Sequence, residues 1–135
     1  MPDWEIKEWN EDNFPIDYNA FSKQSYDAGK FAFTSDVARL YALYKEGGIY
    51  MDTDVEVYKP LDEFINEEGF TGFEDINYPV CATMGAEKGN TVIKMMLDYY
   101  DCVDFIEYDD WKDELSDLRE RIRELKEALR EKGEV

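Results

Sequence analysis

The run Gly47-Gly48-Ile49-Tyr50-Met51-Asp52-Thr53-Asp54 decides how this chain is read. A glycine pair is suited to ending a helix, because glycine adopts the left-handed conformation that a helix C-terminus needs. Three apolar residues then make a short buried strand, and two carboxylates follow at its end. In extended backbone alternate side chains share a side, so Asp52 and Asp54 are expected to face the same way. Two carboxylates on one side oppose each other's ionisation, and a divalent cation removes that penalty. Hard cations such as Mg2+ and Mn2+ take oxygen ligands, and Mg2+ is typically held by one or two carboxylates together with phosphate oxygens. Strand ends that open into loops are also where α/β sheets place ligands. The expectation is a cation and diphosphate site with Asp52 and Asp54 as metal ligands.

The competing reading is a solvated turn, since Asp-X-Asp arises by chance in so acidic a chain. Strand material on both sides argues against it, with Ile49 to Met51 before the pair and Val55-Glu56-Val57-Tyr58 after it. Upstream, Ser35 is a good N-cap, and Asp36 would then sit in the first helical turn, where an anion is favoured. Val37, Leu40, Tyr41 and Tyr44 form one apolar stripe of that helix. Asp36 and Arg39 are three apart and share a face off that stripe, where the plain alternative is a surface ion pair.

At 135 residues the chain is one domain by length. Its 44% hydrophobic and 16% aromatic content is enough for a core. The 33 acidic and 15 basic residues leave a net charge of -18, a field that repels nucleic acid and anionic membrane surfaces. No apolar run is long enough to span a membrane and no leader pattern is present, so a cytoplasmic location is expected. Cys81 and Cys102 lack metal-type spacing and are expected to be free thiols. There is no histidine, which removes the usual general base and the commonest zinc ligand.

Along the rest of the chain, Trp4 to Trp9 alternates like a half-buried strand. Asn10 to Asp17 is a loop, and Ala20 to Ala28 a helix with Gly29 as its stop. Leu61 to Ile65 is expected to be a short helix after Pro60, with strands at Gly69 to Phe73 and Val80 to Met84. Thr91 to Tyr100 is expected to be a helix with Val92, Met95, Met96 and Tyr99 on one face, its methionines serving as core. From Trp111, apolar residues follow a strict heptad seam through Leu115, Leu118, Ile122, Leu125 and Leu129. The boundary is set there, with a body at 1–110 and an amphipathic C-terminal helix at 111–135. That helix either docks on its own body or pairs two copies as a homodimer.

The segment Ser35-Asp36-Val37-Ala38-Arg39-Leu40, with Gly47-Gly48 and Asp52-Thr53-Asp54, resembles the sugar-binding, DXD-containing region of glycosyltransferase family 32. That family includes capsular polysaccharide transferases and initiating mannosyltransferases, and the clostridial glucosylating toxins share its pattern. The resemblance runs from Pro2 to Tyr100 and omits the heptad tail. It implies an α/β fold with a partial GT-A-like (Rossmann-like) nucleotide-sugar transferase core, followed by the charged helix. Members open with a further strand and helix, so it also implies a core truncated at its N-terminus. The implied activity is transfer of a sugar from a nucleotide diphosphate sugar to a glycan or other acceptor, with retention and with Mn2+ or Mg2+. By position, Asp54 would ligate the cation, and Asp52 would contact ribose, sugar or the ion through water. Asp36 and Arg39 would hold the donor sugar and its diphosphate side.

The alternative function is an inactive assembly module acting through the heptad helix. A plain cation-binding acidic domain ranks last, because no EF-hand loop is present.

Overall fold

Helix α1 (Ala20–Asp27) begins at Asn19, whose side chain accepts from the Ser22 amide at 2.8 Å while Ser22 Oγ accepts from the Asn19 amide. This reciprocal pair fixes the helix start. The computed structural model describes residues 4–131 and 133. Gly29, with φ of 70°, reverses the chain after α1. Helix α2 (Phe31–Glu46) therefore restarts at once, four residues ahead of the Ser35 cap expected from the sequence. Ser35 instead donates its hydroxyl to the Ala32 carbonyl within the helix, and Asp36 lies in the second turn. Buried Ser25 and Thr34 exchange a hydrogen bond at 2.8 Å that ties α1 to α2.

The α2 stripe is as read: Val37 and Leu40 are buried, and Tyr41 and Tyr44 pack against the core. Leu43 is buried as well. Gly47 caps α2, its amide donating to the Leu43 carbonyl at 2.8 Å. Its φ of 71° demands glycine, and a Cβ there would lie 2.6 Å from the Lys88 amide nitrogen. The glycine pair thus turns the chain and lets α2 touch the segment after the sheet.

Strand β1 (Gly48–Met51), β2 (Gly69–Asp75) and β3 (Tyr78–Ala86) form an antiparallel sheet in the order β1-β3-β2. β3 is central, with Tyr50 opposite Met84 and Phe70 opposite Gly85. A Cβ at Gly85 would stand 2.1 Å from the Phe70 ring, so the absent side chain makes room for that aromatic. β1 is an edge strand, its Gly48 exposed and Ile49 to Met51 of intermediate burial, where a buried strand is expected. Helices beside a sheet make this an α/β protein in the broad sense. Every strand pairing among the described residues is antiparallel, so the parallel crossovers of a doubly wound sheet are not among them.

Two anticipated strands do not form. Residues 5–10 have no strand partner; Trp9 lies edge-on to Tyr41 at 5.9 Å, and Lys7 pairs with Glu46 at 2.5 Å. These contacts fasten the segment along α2 and leave no neighbouring strand to supply a ladder. Val55 to Tyr58 is likewise unpaired, with Tyr58 85% exposed. The short helix after Pro60 is a 3-10 turn at Asp62–Phe64.

Helix α3 (Thr91–Asp101) starts at Asn90, which accepts from the Val92 and Ile93 amides. The core face differs from the expected one. Ile93 and Leu97 are buried, Met96 and Tyr100 partly so, whereas Val92, Met95 and Tyr99 are more than half exposed. Both faces of this helix are apolar at helical spacing, and packing against α2 selects between them.

Helix α4 (Phe105–Glu131) starts ahead of the boundary drawn at 111. Its amide at Phe105 donates to Gln24 Oε1 at 3.0 Å, and the buried Phe105 ring packs against Phe21 and Phe33. Beyond that anchor the helix runs on for about 40 Å in all. Leu118, Ile122 and Leu125 on the heptad seam are each more than half exposed. The side chains of Trp111 and Leu129 lie outside the described residues.

Candidate functional site

Helical spacing sets the first pair: Arg39 Nη2 lies 2.9 Å from Asp36 Oδ1 on α2. Arg39 Nη1 crosses to the sheet and donates to the Cys81 carbonyl of β3 at 2.9 Å. The same Nη2 stands 3.7 Å from Asp52 Oδ1, beyond the end of β1. The guanidinium carbon lies 4.9 Å from the centroid of the Tyr50 ring, a cation–π distance. One arginine therefore joins α2, β3 and the chain leaving β1. Its side chain is only 11% exposed, and its Nε is buried without a hydrogen-bond partner among the described residues. A buried orphan donor costs about 1–3 kcal/mol, a penalty set against the contacts of the other two nitrogens with Asp36, Asp52 and Cys81 and of the guanidinium with the Tyr50 ring.

Asp52 is held from two sides. Its amide donates to the Ala82 carbonyl at 2.8 Å, and its carboxylate accepts from Tyr50 Oη at 2.6 Å. Burial pushes the Tyr50 phenol up to about 12, and its hydrogen bond to Asp52 adds to the shift. Both effects favour the protonated phenol, which can donate to the carboxylate. The Val55 amide then donates to the Asp52 carbonyl at 3.1 Å, closing a turn with Thr53 and Asp54 at its centre. The Asp pair thus spans a turn and not extended backbone, so the alternation argument for a shared side does not apply. Asp54 is exposed, and no side-chain hydrogen bond or ion pair holds it among the described residues.

Three of the four residues singled out from the sequence, Asp36, Arg39 and Asp52, meet within ion-pair distance. Asp54 stands apart from that network, open to solvent at the turn. Among the described residues no group of three carboxylate, thiol or imidazole side chains could hold a metal ion by itself. The donor set nevertheless suits a hard cation completed by phosphate and water oxygens: one open carboxylate, with a second two residues away. Tyr50 was missed, having been read only as core. Its signal was available, since residues two apart on a strand share a side and Tyr50 precedes Asp52 by two.

A family model described as glycosyltransferase sugar-binding region containing DXD motif matches residues 1–71, more than half of the chain. The matched span holds all four residues and ends within β2. No curated protein and no solved structure matches the chain.

Proposed function

Since the chain belongs to the family of glycosyltransferase sugar-binding regions that contain the DXD motif, we propose that it binds a nucleotide diphosphate sugar and transfers the sugar to a glycan or other acceptor. The observation that carries this reading is Arg39, locked between Asp36 at 2.9 Å and Asp52 at 3.7 Å at the end of β1. A fixed cation beside two carboxylates offers both halves of donor recognition: carboxylates accept from sugar and ribose hydroxyls, and the guanidinium faces the diphosphate.

Asp54 and Asp52 would hold Mn2+ or Mg2+. When bound, the ion supplies neutralisation of the diphosphate charge. In the transfer, the bond between the anomeric carbon and the diphosphate oxygen breaks and its electron pair leaves with the diphosphate. An acceptor hydroxyl oxygen bonds to the anomeric carbon, and its proton passes to a departing phosphate oxygen. Arg39 stabilises the negative charge that gathers on that leaving group. Asp36 orients the sugar's hydroxyls, and Tyr50 keeps Asp52 aimed. No side-chain base is required, in keeping with a chain without histidine. Transfer with retention, as in family 32, and a GT-A-like core are the finer form of the same proposal. So is a cytoplasmic location; among the described residues no helix is long and apolar enough to cross a membrane.

The test is a thermal shift with Mn2+ and UDP or GDP. A rise in melting temperature that needs the ion, and that is lost in Asp54→Ala, supports the reading. No rise with either nucleotide overturns it.

A second reading concerns assembly. The exposed seam of Leu118, Ile122 and Leu125 favours pairing of two copies through α4. The pairing is compatible with transfer and would also serve an inactive module.

A further inference from the structure

We propose that the exposed seam of α4 docks an amphipathic helix of another protein, one whose apolar heptad stripe is bordered by Glu or Asp. This docking is independent of sugar transfer, and it names a different occupant from the second copy considered above. Over residues 115–128 the apolar positions are Leu115, Leu118, Ile122 and Leu125, spaced three and four apart. Leu115 is half-buried, and Leu118, Ile122 and Leu125 are 58%, 52% and 51% exposed, so the described residues leave the stripe largely open.

What borders the stripe identifies its occupant. The acidic residues of this stretch, Asp117, Glu120, Glu124 and Glu127, all fall on the side of the helix away from the seam, while Arg119, Arg121 and Lys126 fall beside it. Helical spacing then separates the three cations. Arg121 has Asp117 and Glu124 within reach and pairs with Glu124 at 3.0 Å. Arg119 and Lys126 have no acidic residue three or four positions away on either side. Both are exposed, and none of the ion pairs among the described residues involves them. They charge one edge of the seam with two cations that α4 itself does not neutralise. A second copy answers them poorly. Antiparallel pairing sets this edge against itself. Parallel pairing gives Arg119 a glutamate, Glu114, but sets Lys126 against Arg121. A helix with carboxylates on both borders of its stripe satisfies both cations in either direction. Opposite charge across the seam then selects the partner, while the apolar stripe supplies the affinity. The acidic body does not forbid the approach. Leu115 lies about 15 Å along α4 from the Phe105 anchor, beyond a screening length of about 8 Å at physiological salt.

The test uses the full chain and labelled synthetic peptides, with binding read by fluorescence anisotropy. Two heptad peptides share Ile and Leu seam positions, and one carries Glu and the other Gln at every position bordering the seam. A third is the Glu peptide with its seam residues replaced by Ser. The Glu peptide should bind about fivefold more tightly than the Gln peptide at low salt. That advantage should vanish at about 1 M salt, where the screening length falls to about 3 Å. Self-association of the chain moves the opposite way with salt, which separates the two occupants. Arg119→Gln combined with Lys126→Gln should erase the preference for Glu while seam binding persists. Leu118→Glu should abolish binding of both peptides, and the Ser peptide should not bind. Unchanged melting of these variants shows that the fold is intact, as expected for exposed side chains. The proposal is overturned if neither seam peptide binds, if the Gln peptide binds as tightly as the Glu peptide at low salt, or if the preference survives the double Gln variant. Binding of the Glu peptide that survives Leu118→Glu places it elsewhere on the chain and overturns the proposal as well.

Discussion

Replacing Arg39 by alanine tests the centre of the structure. The side chain makes a charged hydrogen bond to the Cys81 carbonyl at 2.9 Å, an ion pair with Asp36 at 2.9 Å and a cation–π contact with Tyr50 at 4.9 Å. Contacts of these kinds, one of them to a carboxylate 39% exposed and so screened, contribute together about 3 kcal/mol. Removing the side chain also removes the orphaned Nε, which returns about 1 kcal/mol. The net expectation is a loss of about 2 kcal/mol, or a fall in melting temperature of about 7 °C for a chain of this size. Urea unfolding should show the lower midpoint with an unchanged slope, since the area exposed on unfolding is the same. Lysine should recover less than half of the loss, because a single ammonium cannot reach Cys81, Asp36 and Asp52 together. Double-mutant cycles should couple Arg39 to Asp36 more strongly than to Asp52, the second on the order of 0.5 kcal/mol at its longer distance. A change below about 0.5 kcal/mol for Arg39→Ala, within the range of ordinary surface substitutions, would refute the idea that this arginine ties helix to sheet.

Gly47→Ala should cost about 3 kcal/mol, because it adds a left-handed penalty to a Cβ only 2.6 Å from the Lys88 nitrogen. Gly48→Ala, with φ of 105° and open space around it, should cost less, and equal losses in chemical unfolding would contradict the close approach. Tyr50 has its folded pKa raised, from 10.0 to about 12, so its phenol stabilises the fold fully below pH 10 and loses that contribution as the pH climbs towards 12. The stability difference between the native chain and Tyr50→Phe, about 1 kcal/mol at neutral pH, should therefore shrink over that alkaline interval; a constant difference would show that Asp52 is not using the hydroxyl. Arg119, Arg121 and Lys126 flank the α4 seam with like charge, and the rest of the chain is acidic. Self-association should accordingly strengthen with salt in sedimentation and vanish in Leu118→Glu or in a chain ending at Asp110; a monomer at every ionic strength excludes pairing through this helix.

Local chemistry carried much of this fold into view. Gly47 and Gly48 announced the end of α2 because only glycine tolerates their dihedrals. The Asp36–Arg39 pair followed from helical spacing alone, and its meeting with Asp52 followed from family resemblance. What failed needed a partner to decide it. Trp4 to Trp9 and Val55 to Tyr58 have strand-like alternation, yet no neighbouring strand supplies hydrogen bonds among the described residues. Ser35 has a capping hydroxyl, but the turn at Gly29 had already restarted the helix. On α3 two apolar stripes compete, and only tertiary packing chose Ile93 and Leu97 over Val92 and Met95. The backbone from Asp52 to Asp54 is a turn and not the extended chain expected, because the Val55 amide bonds back to the Asp52 carbonyl.

The arginine that bridges α2 and β3 also fixes when the site pays its ordering cost. Its rotamers are frozen as the chain folds, so a diphosphate bound as proposed would meet a guanidinium already aimed and forfeit little entropy in docking. The same arrangement makes recognition brittle. Any loosening that draws the helix from Cys81 releases the guanidinium and both neighbouring carboxylates at once, so on heating, binding and the helix–sheet junction should disappear together.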